Sequence, residues 1–141
     1  MLDRPQTIEH YGFDFKNHKL PQAYDTYGAA VQIHSHMKLI PDVKDRYGAI
    51  VLNKEIKDTR SFEVDIKGLL TSNKSTSHGF TVMFLADRPQ FPAEFNKEFG
   101  YRTDYKGLGV FVYRSESRGK WYIVAIQNKG LQSITRTRNI D

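Results

Sequence analysis

The chain contains no cysteine, which excludes disulfides, thiolate metal sites and cysteine nucleophiles together. It also lacks any apolar run approaching the ~20 residues that a bilayer-spanning helix requires. Met1 to His10 carries charge but no apolar core of the signal-peptide type. Membrane association is therefore expected only through segments absent from this sequence. Internal repeats and low-complexity tracts are missing, as are the G-x-S-x-G, P-loop and dinucleotide glycine signatures. There is no block of like charge either: 21 Lys and Arg are interspersed with 16 Asp and Glu, and the dispersed +5 gives no indication of nucleic-acid binding.

What is present is material for a folded core. Of the 141 residues 39% are apolar and 13% aromatic, with nine Phe and eight Tyr, well above a disordered composition. Glycine, asparagine and proline recur every ten to fifteen residues or so, roughly the rhythm of strands joined by turns. From Ser61 to Leu70, Phe62, Val64 and Ile66 alternate with Glu63, Asp65 and Lys67, predicting a strand with one solvated face. Gly79 to Leu85, Gly107 to Tyr113 and Trp121 to Gln127 are short apolar runs rich in aromatic and β-branched residues, suited to strands covered on both faces. Shorter candidates are Ala29 to Ile33, Ala49 to Asn53 and Ser133 to Thr137, with at most a turn of helix near Pro92 to Lys97. The expected fold is all-β, an antiparallel β-sandwich spanning residues 1–141 as one domain. Its polar loops, Thr71 to Ser77, Asp87 to Lys106 and Arg114 to Lys120, are where ligand contacts would sit.

Each candidate for chemistry competes with a plainer reading. His34 and His36, if on one strand, share a face and could supply two metal ligands, but no third is obvious and an exposed edge strand accounts for both. We therefore expect no metal site. Glu55, Asp58, Glu63, Asp65, Glu94, Glu98 and Asp104 could include the facing pair of a glycoside hydrolase, yet nothing in their spacing selects one. Solvated surface explains them, and no catalytic residue is assigned. Gly107 and Gly109, inside an apparent strand, read as a close backbone approach or a bulge. Asn73-Lys74-Ser75 is a glycosylation sequon that matters only in a luminal protein. Tyr101, Tyr105, Tyr113 and Trp121 flank the loops where aromatic rings could stack on sugars, in competition with burial.

Four segments then occur in a suggestive order: Arg46-Tyr47-Gly48-Ala49-Ile50, Phe62-Glu63-Val64-Asp65-Ile66, Gly79-Phe80-Thr81-Val82-Met83-Phe84, and Tyr105-Lys106-Gly107-Leu108-Gly109-Val110-Phe111. Together, over about Leu39 to Gly130, they resemble the eukaryotic L-type, legume-lectin-like cargo receptors of the ER-Golgi pathway. The resemblance implies a jelly-roll sandwich in the lumen of the endoplasmic reticulum or Golgi, binding high-mannose glycoprotein cargo or a partner cargo receptor. It also implies that this is the N-terminal portion of a longer domain. In that family an aspartate in a G-D-G turn and a calcium loop after the G-L-G strand hold the sugar. Here His78 replaces the turn aspartate, Tyr113 replaces the aspartate ending the strand, and Ser115 and Ser117 fall at calcium-ligand positions. The resemblance thus implies ligand contacts at His78, Tyr101, Tyr113, Ser115 and Ser117 and no calcium cofactor. The alternatives are a protein-binding sandwich without sugar affinity and a carbohydrate-active enzyme of similar shape.

Overall fold

A computed structural model describes residues 20–41, 43, 45–57, 62–70, 79–89, 102–115 and 117–131. Among these residues there are seven strands and no helix: β1 (Tyr24–Gly28), β2 (Val31–Ile33), β3 (His36–Lys38), β4 (Gly48–Leu52), β5 (Gly79–Leu85), β6 (Lys106–Arg114) and β7 (Trp121–Lys129). All strand pairs are antiparallel: β1 with β4, β2 with β3, and a three-stranded meander β5-β6-β7. The expected all-β, antiparallel class is what forms.

The meander is the largest unit, and its two faces follow from its register. Thr81 and Val124 both pair with Phe111, Met83 and Ile126 with Gly109, and Tyr122 with Tyr113, so these side chains share one face. On that face Tyr105, Phe111 and Tyr113 are buried, packed against Met83, Leu85, Tyr122, Val124 and Ile126. The opposite face carries Phe80, Val82 and Phe84 beside Leu108, Val110, Val112, Trp121 and Ile123, and Leu108, Trp121 and Ile123 are exposed there. The first face is the core and the second is an apolar surface.

Gly107 and Gly109 lie in an unbroken register, so there is no bulge. Gly107 meets the close-approach expectation: at φ 142° it lies so near β5 that a Cβ would run into the Phe84 carbonyl. Gly109 is buried on the core face, where Tyr105 and Phe111 close over it; a Cβ would come within 2.8 Å of the Tyr105 hydroxyl and of the Phe111 ring.

Three expectations need correction. Phe62 to Leu70 forms no strand and every residue in it is exposed, although Phe62 rests on Phe84 with ring centroids 5.2 Å apart. Alternation makes a segment amphipathic, but a strand also needs a partner ladder, and none of the described strands provides one. The Ala29 to Ile33 run is a strand only over Val31–Ile33, which is β2, because Ala29 and Ala30 belong to the connection after β1, which ends at Gly28 with φ 65°. His34 and His36 do not share a strand. His34 takes φ 44° in the two-residue turn joining β2 to β3, and His36 pairs with Ile33 as the first residue of β3. The proposed strand Ser133 to Thr137 and the helical turn Pro92 to Lys97 lie outside the described residues.

Candidate functional site

The β6-β7 hairpin end gathers the described site candidates. Ser115 follows β6 directly, and its N–H donates to the Lys120 carbonyl at 2.9 Å, while the Gly119 N–H donates back to the Ser115 carbonyl at 2.8 Å. Gly119 accommodates the reversal at φ 63°, a backbone conformation that glycine adopts without a Cβ penalty. The Ser115 hydroxyl is engaged as well: it lies 3.1 Å from the Ser117 hydroxyl and accepts the Arg118 N–H at 3.4 Å. Ser115 is 2% exposed, so it serves as the buried post around which the loop turns, leaving Ser117, Arg118, Gly119 and Lys120 at the surface.

Tyr113 and Tyr122 pair across the strands and stack, with centroids 5.6 Å apart and planes at 21°. Tyr113 is buried, whereas Tyr122 is half-buried and accepts the Arg118 guanidinium on its hydroxyl at 3.4 Å. The Arg118 contact therefore ties the exposed loop to the aromatic pair beneath it. On the other face Arg114 pairs with Trp121, whose ring is exposed, and the Arg114 Nη2 atom lies 3.8 Å from where a Gly119 Cβ would stand.

At the far end of β6 the loop before it is closed by polar bonds. Asn128, buried, donates to the Thr103 carbonyl at 3.2 Å and accepts the Gly130 N–H at 3.3 Å. Arg102 grips Asp104 through two bonds of 2.9 and 2.8 Å. That bonding holds the Asp104 carboxyl below its ordinary value, against a smaller opposing effect of partial burial. The Tyr105 hydroxyl donates to the Ile126 carbonyl at 2.9 Å, and burial raises its ionisation above the ordinary tyrosine value.

Of the expected ligand contacts, Tyr113, Ser115 and Ser117 are brought together at one hairpin end, and Ser117 is the exposed one of the three. His78, Tyr101 and the sequon residue Asn73 lie outside the described residues. Reading residues singly overlooked Arg118 against Tyr122 and Arg114 beside Trp121. Extending the β6-β7 ladder by register would have found the second, because Arg114 and Trp121 flank the loop as its last ladder pair. Glu63 and Asp65, the carboxylates nearest an amphipathic pattern, are both exposed.

No curated protein and no solved structure matches this chain. The sequence model of the legume-like lectin family, a family of carbohydrate-binding domains, matches residues 8–141, and with that span the chain belongs to the legume-like lectin family and to its antiparallel β-sandwich class.

Proposed function

We propose that this domain is a luminal recognition module of an ER-Golgi cargo receptor, reading high-mannose glycans on glycoprotein cargo through the β6-β7 hairpin end without calcium. Ser117 and the outer edge of Tyr122 meet the sugar, while Ser115 and Tyr113 hold them in place. The observation that carries this reading is the construction of the Ser115 to Lys120 loop inside a legume-like lectin domain: a buried hydroxyl post and two backbone bonds fix the exposed polar groups.

The calcium-free part rests on the chemistry of the donors. Calcium takes about six to eight oxygens, with carboxylates among them. The loop offers one carboxylate in sequence, Glu116, between Arg114 and Arg118, and the Ser115 hydroxyl is already committed within the loop. These residues do not fit a calcium ion. His78 and Tyr101 join the site by sequence order alone.

Calorimetric titration with a high-mannose oligosaccharide, once in excess calcium and once in chelator, tests the reading. Equal binding in both buffers is expected. Binding that vanishes in chelator would refute the calcium-free site, and no binding in either buffer would refute the lectin activity. A second reading, a protein-binding sandwich or a docking face for a partner receptor, is favoured by one observation: the exposed apolar side chains Leu108, Trp121 and Ile123 on the open face of the meander.

A further inference from the structure

The hairpin end that would read a sugar is also cationic, with three basic residues against the single carboxylate of Glu116. Arg114, Arg118 and Lys120 fall within one turn, where the family resemblance would place calcium and its carboxylates. One of the three, Arg114, stands beside an aromatic ring. Arg114 and Trp121 are the last ladder pair of β6 and β7, so their side chains stand side by side on the open face. Trp121 is 43% exposed, enough to present a ring surface. Gly119, at φ 63°, turns the chain beside Arg114, whose Nη2 lies 3.8 Å from the place a Cβ would take. The backbone under this arrangement is fixed by the Ser115–Lys120 and Gly119–Ser115 bonds of 2.9 and 2.8 Å.

A flat, amphipathic ring beside a guanidinium suits one ligand class. The ring takes the C–H face of a pyranose, and the planar guanidinium takes an oxyanion bidentately. A neutral pyranose on this ring would gain no charge-assisted bond. A sugar carrying a phosphate, sulfate or carboxylate would use both the ring and the guanidinium.

We propose that Trp121 and Arg114 form a subsite for an anionic saccharide, so that the domain prefers glycans bearing an oxyanion over their neutral counterparts. This rests on the saccharide-binding reading above and narrows its ligand. Trp121 is the chain's single tryptophan, so its emission reports the subsite directly.

The test is a fluorescence titration of the whole chain with a neutral oligomannose, the same oligomannose with a terminal phosphomonoester, a sulfated one and a carboxylated one. At least one anionic form is expected to bind about tenfold more tightly than the neutral form and to change Trp121 emission. The tightest of the three identifies the oxyanion. In Arg114→Gln that affinity ratio should fall to about one. In Lys129→Gln, which removes the same charge at the far end of β7, the ratio should persist. Circular dichroism of both variants verifies the fold. Equal affinity for neutral and anionic forms overturns the subsite and leaves the neutral-glycan reading standing. A loss of the ratio in Lys129→Gln equal to that in Arg114→Gln overturns it as well, because general charge would then explain the effect. Binding of no saccharide at all overturns both readings.

Discussion

Tyr105 shows how much one side chain settles at the core of the meander. It is 4% exposed, its ring lies against Phe111 with centroids 6.3 Å apart, and its hydroxyl is satisfied by the Ile126 carbonyl. Removing that hydroxyl in Tyr105→Phe keeps the packing and loses one hydrogen bond, so a stability loss of about 1 kcal/mol is expected. The pH dependence has a definite sign. Burial favours the neutral phenol and raises its ionisation, so its contribution is complete below the ordinary tyrosine value of about 10 and is lost as pH rises through the higher folded value. Tyr24 is raised in the same direction by the same cause. Thermal unfolding of both proteins between neutral and strongly alkaline pH should show a shallower alkaline decline in Tyr105→Phe. An identical decline would remove Tyr105 from the account. Asp104 behaves oppositely: held low by Arg102, it contributes above the ordinary aspartate range and loses that contribution as pH falls through its folded value. Both partners of this pair are exposed by more than two-fifths, so the contribution is small and fades with added salt.

At the scale of the element, the β6 ladder depends on two glycines for different reasons, and substitution separates them. Gly109→Ala places a methyl against the Tyr105 hydroxyl and the Phe111 ring, groups that can shift, and should cost about 1–3 kcal/mol as overpacking. Gly107→Ala meets the Phe84 backbone carbonyl and must also hold φ 142°, so its cost should be the larger. Denaturant unfolding of the two variants ranks them, and the reverse order would contradict the register. The strands β5, β6 and β7 were legible in sequence because each is a continuous apolar run rich in β-branched and aromatic residues, ended by polar turns. Tyr24–Gly28 and His36–Lys38 were not, since Asp25, Thr26 and Lys38 interrupt any apolar pattern and pairing alone makes these segments strands. Phe62 to Leu70 failed in the other direction: its pattern is clear, but pattern does not supply a partner ladder. The hairpin-end site was half legible. Ser115 and Ser117 stood out as replacements in a known pattern, whereas Arg114 beside Trp121 emerges only once register is known, and Arg118 on Tyr122 only from the folded loop.

On the scale of the whole molecule, the described meander has one buried face and a second, apolar face that Phe62 covers at Phe84 and that is exposed along β7. Ile123 is 75% exposed, Trp121 43% and Leu108 37%, with Lys106, Arg114 and Lys129 sharing the same face at its ends. Adjacent exposed apolar side chains on a sheet are a standing invitation to association, and the outer edges of β5 and β7 have no described ladder partner to blunt it. The cations at the ends oppose close stacking of two identical faces, so association should strengthen as salt screens them over about 8–10 Å. Sedimentation of the chain over a range of concentrations and salt should therefore show weight-average mass rising with both. Ile123→Thr keeps a β-branched strand residue while replacing a methylene-bearing arm with a hydroxyl. It should reduce that rise and leave thermal unfolding nearly unchanged, within about 0.5 kcal/mol for a surface site. If Ile123→Thr instead unfolds the protein, the side chain belongs to a packed layer, and the face is interior rather than open. If mass stays constant in both proteins at every salt, the open face is not sticky in solution, and the protein-docking alternative loses the observation that favours it.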